Sequence, residues 1–135
     1  MFKSIHILVL ALLCVSINTV ARNYHQDQHD THDNAQAAAL LVFKTPSCGC
    51  CKKWVSHIAS HGFVAQSKDD NSIDWVKSKF GIQPKYRSCH TAVSREGWVF
   101  EGHVPAKFIK QFLAKQPPNA IGLSVPAMPI GSPGM

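Results

Sequence analysis

Ala39-Leu40-Leu41-Val42-Phe43-Lys44-Thr45-Pro46-Ser47-Cys48-Gly49-Cys50-Cys51-Lys52-Lys53-Trp54-Val55-Ser56-His57-Ile58 is the stretch that decides how this chain folds. Its opening run is apolar and ends at Thr45-Pro46-Ser47, the pattern of a buried strand entering a turn. Cys51, Trp54, Val55 and Ile58 then recur at i, i+3, i+4 and i+7, one face of a helix that Gly62 is placed to stop. A strand, a cysteine-bearing turn and a helix thus follow one another in that order.

The pattern continues toward the C-terminus. Phe63 to Ser67 fits a second strand. Asp69-Asp70-Asn71-Ser72 offers caps for a helix that turns Ile73, Val76 and Phe80 inward and stops at Gly81. After Pro84 a loop leads to Cys89-His90, Thr91 to Ser94 reads as a strand, and Arg95-Glu96-Gly97 turns the chain into Trp98 to Glu101. Pro105 suits the first turn of a last helix with Phe108, Ile109, Phe112 and Leu113 on its buried side. The predicted class is α/β, a thioredoxin-like β-α-β-α-β-β-α domain over residues 38–135. A domain of roughly 100 residues buries an adequate core without staples. Its final segment, 116–135, holds Pro117, Pro118, Pro126, Pro129 and Pro133, which forbid a long helix. The same segment holds Ile121, Leu123, Val125, Met128 and Ile130, which predict a Pro-rich tail docked on the domain.

Upstream of the domain the chain changes character. Lys3 gives a short basic start, Ile5 to Val15 is nearly all apolar, and Thr19-Val20-Ala21 places small residues before a cut. This is the layout of a secretory signal peptide over residues 1–21, too short for a comfortable membrane span. Its loss leaves no stable membrane anchor and removes Cys14. Residues 22–37 are polar and aperiodic, with His25, His29 and His32 among Asp27, Asp30 and Asp33. That leader reads as disordered, either a soluble linker or a tract that gathers metal.

The whole chain of 135 residues carries 14 Lys and Arg against 8 Asp and Glu, a formal +6. The basic residues form neither a run nor an aromatic-interleaved stripe. They read as solvated surface and give no ground for nucleic-acid binding.

The chemistry lies in the cysteines. Export places Cys48, Cys50, Cys51 and Cys89 in an oxidising compartment, yet three of them lie within four residues. Loops that short gain little from closure, and adjacent Cys50 and Cys51 are poorly disposed to bridge. The cluster therefore suits a metal or redox site better than a fold staple. At a helix N-terminus the dipole and free N–H groups favour thiolate, Lys52 and Lys53 add positive charge, and Gly49 frees the turn's backbone.

In a thioredoxin-like fold, the loop carrying Cys89-His90 faces that turn. A thiol and an imidazole then stand where thioredoxins place a proline. Cys48, Cys50, Cys51, Cys89 and His90 are thus the predicted metal ligands, a soft donor set suited to copper(I), with zinc the less favoured ion. His103 at a strand end is either a group at the metal site or a helix cap. His57 and His61 lie off the apolar face of their helix and read as solvated. Met128 and Met135 are soft thioethers or packing residues.

Cys48-Gly49-Cys50-Cys51-Lys52-Lys53-Trp54, Ser88-Cys89-His90-Thr91, Glu101-Gly102-His103-Val104-Pro105 and Gly122 to Met135 together resemble the bacterial CopG family of exported CxCC metal-binding proteins from copper-resistance clusters. The likeness runs from about residue 40 to the end. It implies a thioredoxin-like fold, a periplasmic location and copper handling through the cysteines and the Cys-His pair. Other periplasmic copper-handling proteins become candidate partners. The usual Pro-Gly-Met-Pro of that family is Pro126-Ala127-Met128-Pro129 here, and the His-rich leader lies outside the shared pattern.

The leading expectation is a copper-binding protein that holds copper(I), several thiolates bridging more than one ion. The alternative is a thiol–disulfide or copper oxidoreductase using Cys48 and Cys51. Cys50 separates the two, since exchange needs only a pair of thiols and a third invites wrong disulfides. A structural Cys₃His zinc site is the third reading.

Overall fold

A computed structural model describes residues 38–135. The stretches read as a signal peptide and a His-rich leader, residues 1–37, lie outside the described residues. The elements are β1 (Ala39–Lys44), α1 (Gly49–Ser60), β2 (Val64–Asp69), α2 (Asp74–Lys79), a 3-10 turn (Pro84–Tyr86), β3 (His90–Ser94), β4 (Val99–Gly102), α3 (Ala106–Lys115) and β5 (Gly122–Val125). The expected β-α-β-α-β-β-α order is present, extended by one strand. The sheet runs β2-β1-β3-β4-β5. β1 is parallel to β2 and antiparallel to β3, and β4 is antiparallel to β3 and parallel to β5.

Alternation along the strands sends side chains to two cores. Leu40, Val42, Ala92 and Phe100 face one side, where Trp54 and Ile58 of α1 meet Ala106, Ile109 and Phe112 of α3. Phe43 faces the other side, against Ile73, the N-cap of α2, and Val76 within it, with Phe80 and Val93 packed beside them. β1 therefore places apolar side chains on both faces, which is why its sequence reads as a continuous apolar run, although Leu41 stays exposed. Gly62 and Gly81 follow their helices at φ +84° and +68°, the left-handed ends expected of them.

Several local expectations need correction. The Pro-rich segment does dock, but part of it does so as a strand, its four residues pairing with Val99 to Gly102. Phe108 is 44 % exposed, and α3 turns Ala106, Ile109 and Phe112 inward instead. Asp70 does not cap α2, whose N-cap is Ile73 and which has no side-chain cap. It accepts hydrogen bonds from Ser72 N–H at 3.1 Å and Trp75 Nε1–H at 3.1 Å. Not every basic residue is solvated either. Lys44 and Lys77 are buried, and each is paired with a carboxylate, Asp69 and Glu101 respectively.

Candidate metal centre

The cysteine turn joins the C-terminal end of β1 to α1. Cys48 is the N-cap, with extended backbone and a sulfur that accepts from Cys51 N–H at 3.3 Å, satisfying one of the helix's free donors. Cys48 and Cys51 form a disulfide, so the structure shows the oxidised form of the motif. Cys50 stays a free thiol with its sulfur 3.5 Å from Cys48 Sγ. Gly49 takes no left-handed conformation, and a Cβ there would meet nothing within 4 Å. Backbone freedom at Gly49 is thus not what shapes this turn.

β3 runs antiparallel to β1, with His90 opposite Lys44, so its first residue arrives beside the cysteine turn. Cys51 Sγ lies 3.8 Å from the Cys89 carbonyl oxygen. The convergence expected between Cys89-His90 and the turn is the observed arrangement. His90 is fully buried on the α1 side of the sheet, its ring 4.3 Å from that of Trp54. Trp54 is itself fixed by donating Nε1–H to the Val104 carbonyl at 2.9 Å.

His103 stands in the same cluster. It is fully buried, with Nε2 at 3.1 Å from Cys89 Sγ and its ring 5.0 Å from that of His90. Its Nδ1 lies 2.7 Å from the carbonyl oxygen of Pro133. A carbonyl only accepts, so Nδ1 carries a proton, and in the neutral ring Nε2 turns its lone pair toward Cys89. Two glycines make this placement possible. Gly102, at φ +74°, swings the chain out of β4, and a Cβ there would stand 2.6 Å from Ser88 Oγ and Val125 O. Gly134, at φ +95°, lets the tail close on the first turn of α1, where a Cβ would stand 2.7 Å from Cys50 O.

Burial sets the protonation of His90 and Cys89. It pushes the His90 imidazole down to about 3, helped by repulsion from His103 and Lys77. His90 is therefore neutral at ordinary pH. Its Nδ1 lies 3.5 Å from Cys89 Sγ, while its buried Nε2 has no hydrogen-bond partner among the described residues. Burial, and after it the nearby Cys50, raises the Cys89 thiol. An incoming cation must displace that proton, and one that binds thiolate strongly can do so.

Two groups of donors result. Cys48, Cys50, Cys51 and Cys89 form one, and Cys51, Cys89, His90 and His103 form the other, each with its ligand atoms within 4.8 Å of one another. Sulfur and neutral imidazole fit a soft ion, and the orphaned His90 Nε2 is a buried donor lacking a partner. Met128 and Met135 lie at the surface. His61 is exposed as expected, but His57 is not merely solvated, because its Nε2 accepts from Ala106 N–H at 3.2 Å and so caps α3.

Residues 86–135 match the family described as "Protein of unknown function, DUF411". No curated protein matches the chain. Two solved structures, "Copper resistance protein copG" in Form 1 and Form 2, are each 38 % identical to it with a TM-score of 0.68, covering 74 % of this chain and 78 % of theirs.

Proposed function

The chain belongs to the CopG family of copper resistance proteins, and from that premise we propose that it is an exported periplasmic protein that holds copper(I) as a thiolate-bridged cluster. Residues 1–21 are the signal peptide, residues 22–37 the leader, and residues 38–135 the metal-binding domain. Cys48, Cys50, Cys51 and Cys89 supply sulfur, and His90 supplies nitrogen. His103 joins them in this reading, supported by its Nε2 lying 3.1 Å from Cys89 Sγ while Nδ1 faces the Pro133 carbonyl. The observation that carries the reading is the overlap of the two donor groups at Cys51 and Cys89. Sulfurs shared between two sets of ligands are placed to bridge two or more ions.

The deciding experiment is metal analysis with thiol counting on protein taken from the periplasm of copper-grown cells and kept anaerobic. More than one copper per chain with four reduced thiols is expected. A single zinc per chain with no copper would overturn the reading in favour of a structural zinc site.

The Cys48–Cys51 disulfide supports a second reading, in which the pair turns over. Two thiols reduce two copper(II) ions to copper(I), forming one disulfide and releasing two protons. Both readings use the same sulfurs, so they describe two states of one site, and Cys50 gives the holding function its extra ligand.

A further inference from the structure

On the sheet face opposite the metal centre lies a charged cluster with no part in binding as described so far. Lys77 of α2 and Glu101 of β4 are both almost wholly buried and form an ion pair at 2.6 Å. Replacing such a pair with apolar groups is often neutral or stabilising, so stability is weak grounds for its presence. What the carboxylate touches suggests another role. Oε1 accepts from the backbone N–H of Ser88 at 2.6 Å, and Oε2 accepts from the hydroxyl of Thr91 at 2.6 Å. Lys77 Nζ also donates to Thr91 Oγ1 at 3.0 Å. Ser88 and Thr91 are the two residues that flank Cys89-His90. One carboxylate therefore grips the ligand dipeptide at both ends, and the lysine holds that carboxylate in place.

The strand's alternation makes this possible. Thr91 points toward α2 while His90 points toward α1, so the grip comes from the side the ligands leave free. We propose that Glu101 and Lys77 are positioning residues for the metal centre, fixing Cys89 and His90 at the spacing that lets them meet Cys51 and His103. This rests on the copper reading for its consequence, though not for its geometry.

The test uses paired replacements in the full mature chain. Lys77→Met/Glu101→Gln removes both charges but keeps an oxygen to accept from Ser88. Lys77→Met/Glu101→Leu keeps no acceptor. The glutamine pair is expected to hold copper(I) within about threefold of the unaltered chain, measured by competition with a colorimetric copper(I) chelator. The leucine pair is expected to lose about tenfold or more, the scale seen when the groups that orient metal ligands are removed. In a Cys89→Ala/His90→Ala background the leucine pair should cost nothing further, since its effect runs through those residues. Equal copper binding by the two pairs, or an undiminished loss in that background, would overturn the proposal.

Amide hydrogen exchange at Cys89 and His90 in metal-free protein tests the grip separately from copper. The leucine pair should exchange there about tenfold faster than the glutamine pair with β1 unchanged, and equal rates would refute the proposal even if copper binding differed. Should the unaltered chain bind no copper, the copper reading fails and exchange alone decides the grip. If the leucine pair does not fold, Thr91→Val takes its place, with faster exchange at His90 expected and unchanged exchange refuting.

Discussion

His90→Leu tests whether the imidazole of the candidate metal centre is held neutral. His90 is enclosed by Trp54 of α1, by His103 beyond β4 and by Cys89, and it feels Lys77 of α2. The folded protein resists protonating it until pH falls to about 3, against 6.5 for an unhindered histidine. In the unfolded chain the ring takes its proton near 6.5. Between those two values the unfolded state binds a proton that the folded state does not, so stability is full above pH 6.5 and is lost on acidification. The slope is about 1.4 kcal/mol per pH unit across that window. Going from pH 7 to pH 4.5 should thus remove about 2.5 kcal/mol, roughly 10–20 °C of melting temperature for a domain of this size.

Thermal melting by circular dichroism, on metal-free oxidised protein at both pH values, gives the comparison. Leucine refills much of the space and cannot titrate, so the variant keeps whatever acid sensitivity the carboxylates contribute and loses the histidine's share. The expected result is a clearly smaller fall in melting temperature for His90→Leu. Parallel falls in the two proteins would refute the claim that His90 is buried in its neutral form.

Other consequences can be checked directly. Cys50→Ser should lower the number of copper ions per chain while the Cys48–Cys51 disulfide still forms, leaving one free thiol, Cys89, after oxidation; full copper loading would favour the oxidoreductase reading. His103→Ala removes a nitrogen beside Cys89 and the donor that holds Pro133 O, so copper(I) affinity should fall about tenfold or more while the reduced thiol count stays at four. In anaerobic competition between the two ions, copper(I) should displace zinc, because sulfur-rich ligation favours the softer ion. Intact-mass measurement of the exported protein should give an N-terminus near Arg22, and a retained Met1 would contradict the signal-peptide reading.

The element order was legible because it is written in local periodicity. Cys51, Trp54 and Ile58 share a helix face whatever surrounds them, and all three are fully buried. β5 was not legible. Gly122-Leu123-Ser124-Val125 is short and bounded by prolines, and it becomes a strand only because β4 offers it an edge. Phe108 misled because an apolar residue near a helix's inner face reads as core, although Ala106 and Ile109 already fill that face. Lys77 misled for the opposite reason. A lysine on a six-residue helix reads as solvated, and its partner Glu101 is 24 residues away, brought to it by the sheet.

At the site, local chemistry and global placement divide in the same way. The thiols of the turn announce themselves by crowding, and Cys89-His90 by standing where the fold brings a loop to that turn. His103 stayed open because its role depends on Pro133, 30 residues downstream, whose carbonyl fixes which nitrogen carries the proton. The two halves of the centre also behave differently under oxidation. Forming the Cys48–Cys51 disulfide withdraws two sulfurs from the donor set, while Cys50, Cys89, His90 and His103 keep their lone pairs. The turn is at the start of a helix, where thiolate is favoured. The nitrogen side is packed against Trp54, with His103 tied to the tail. The disulfide thus occupies the helix-start face of the cluster, and the buried imidazoles of His90 and His103 occupy the other.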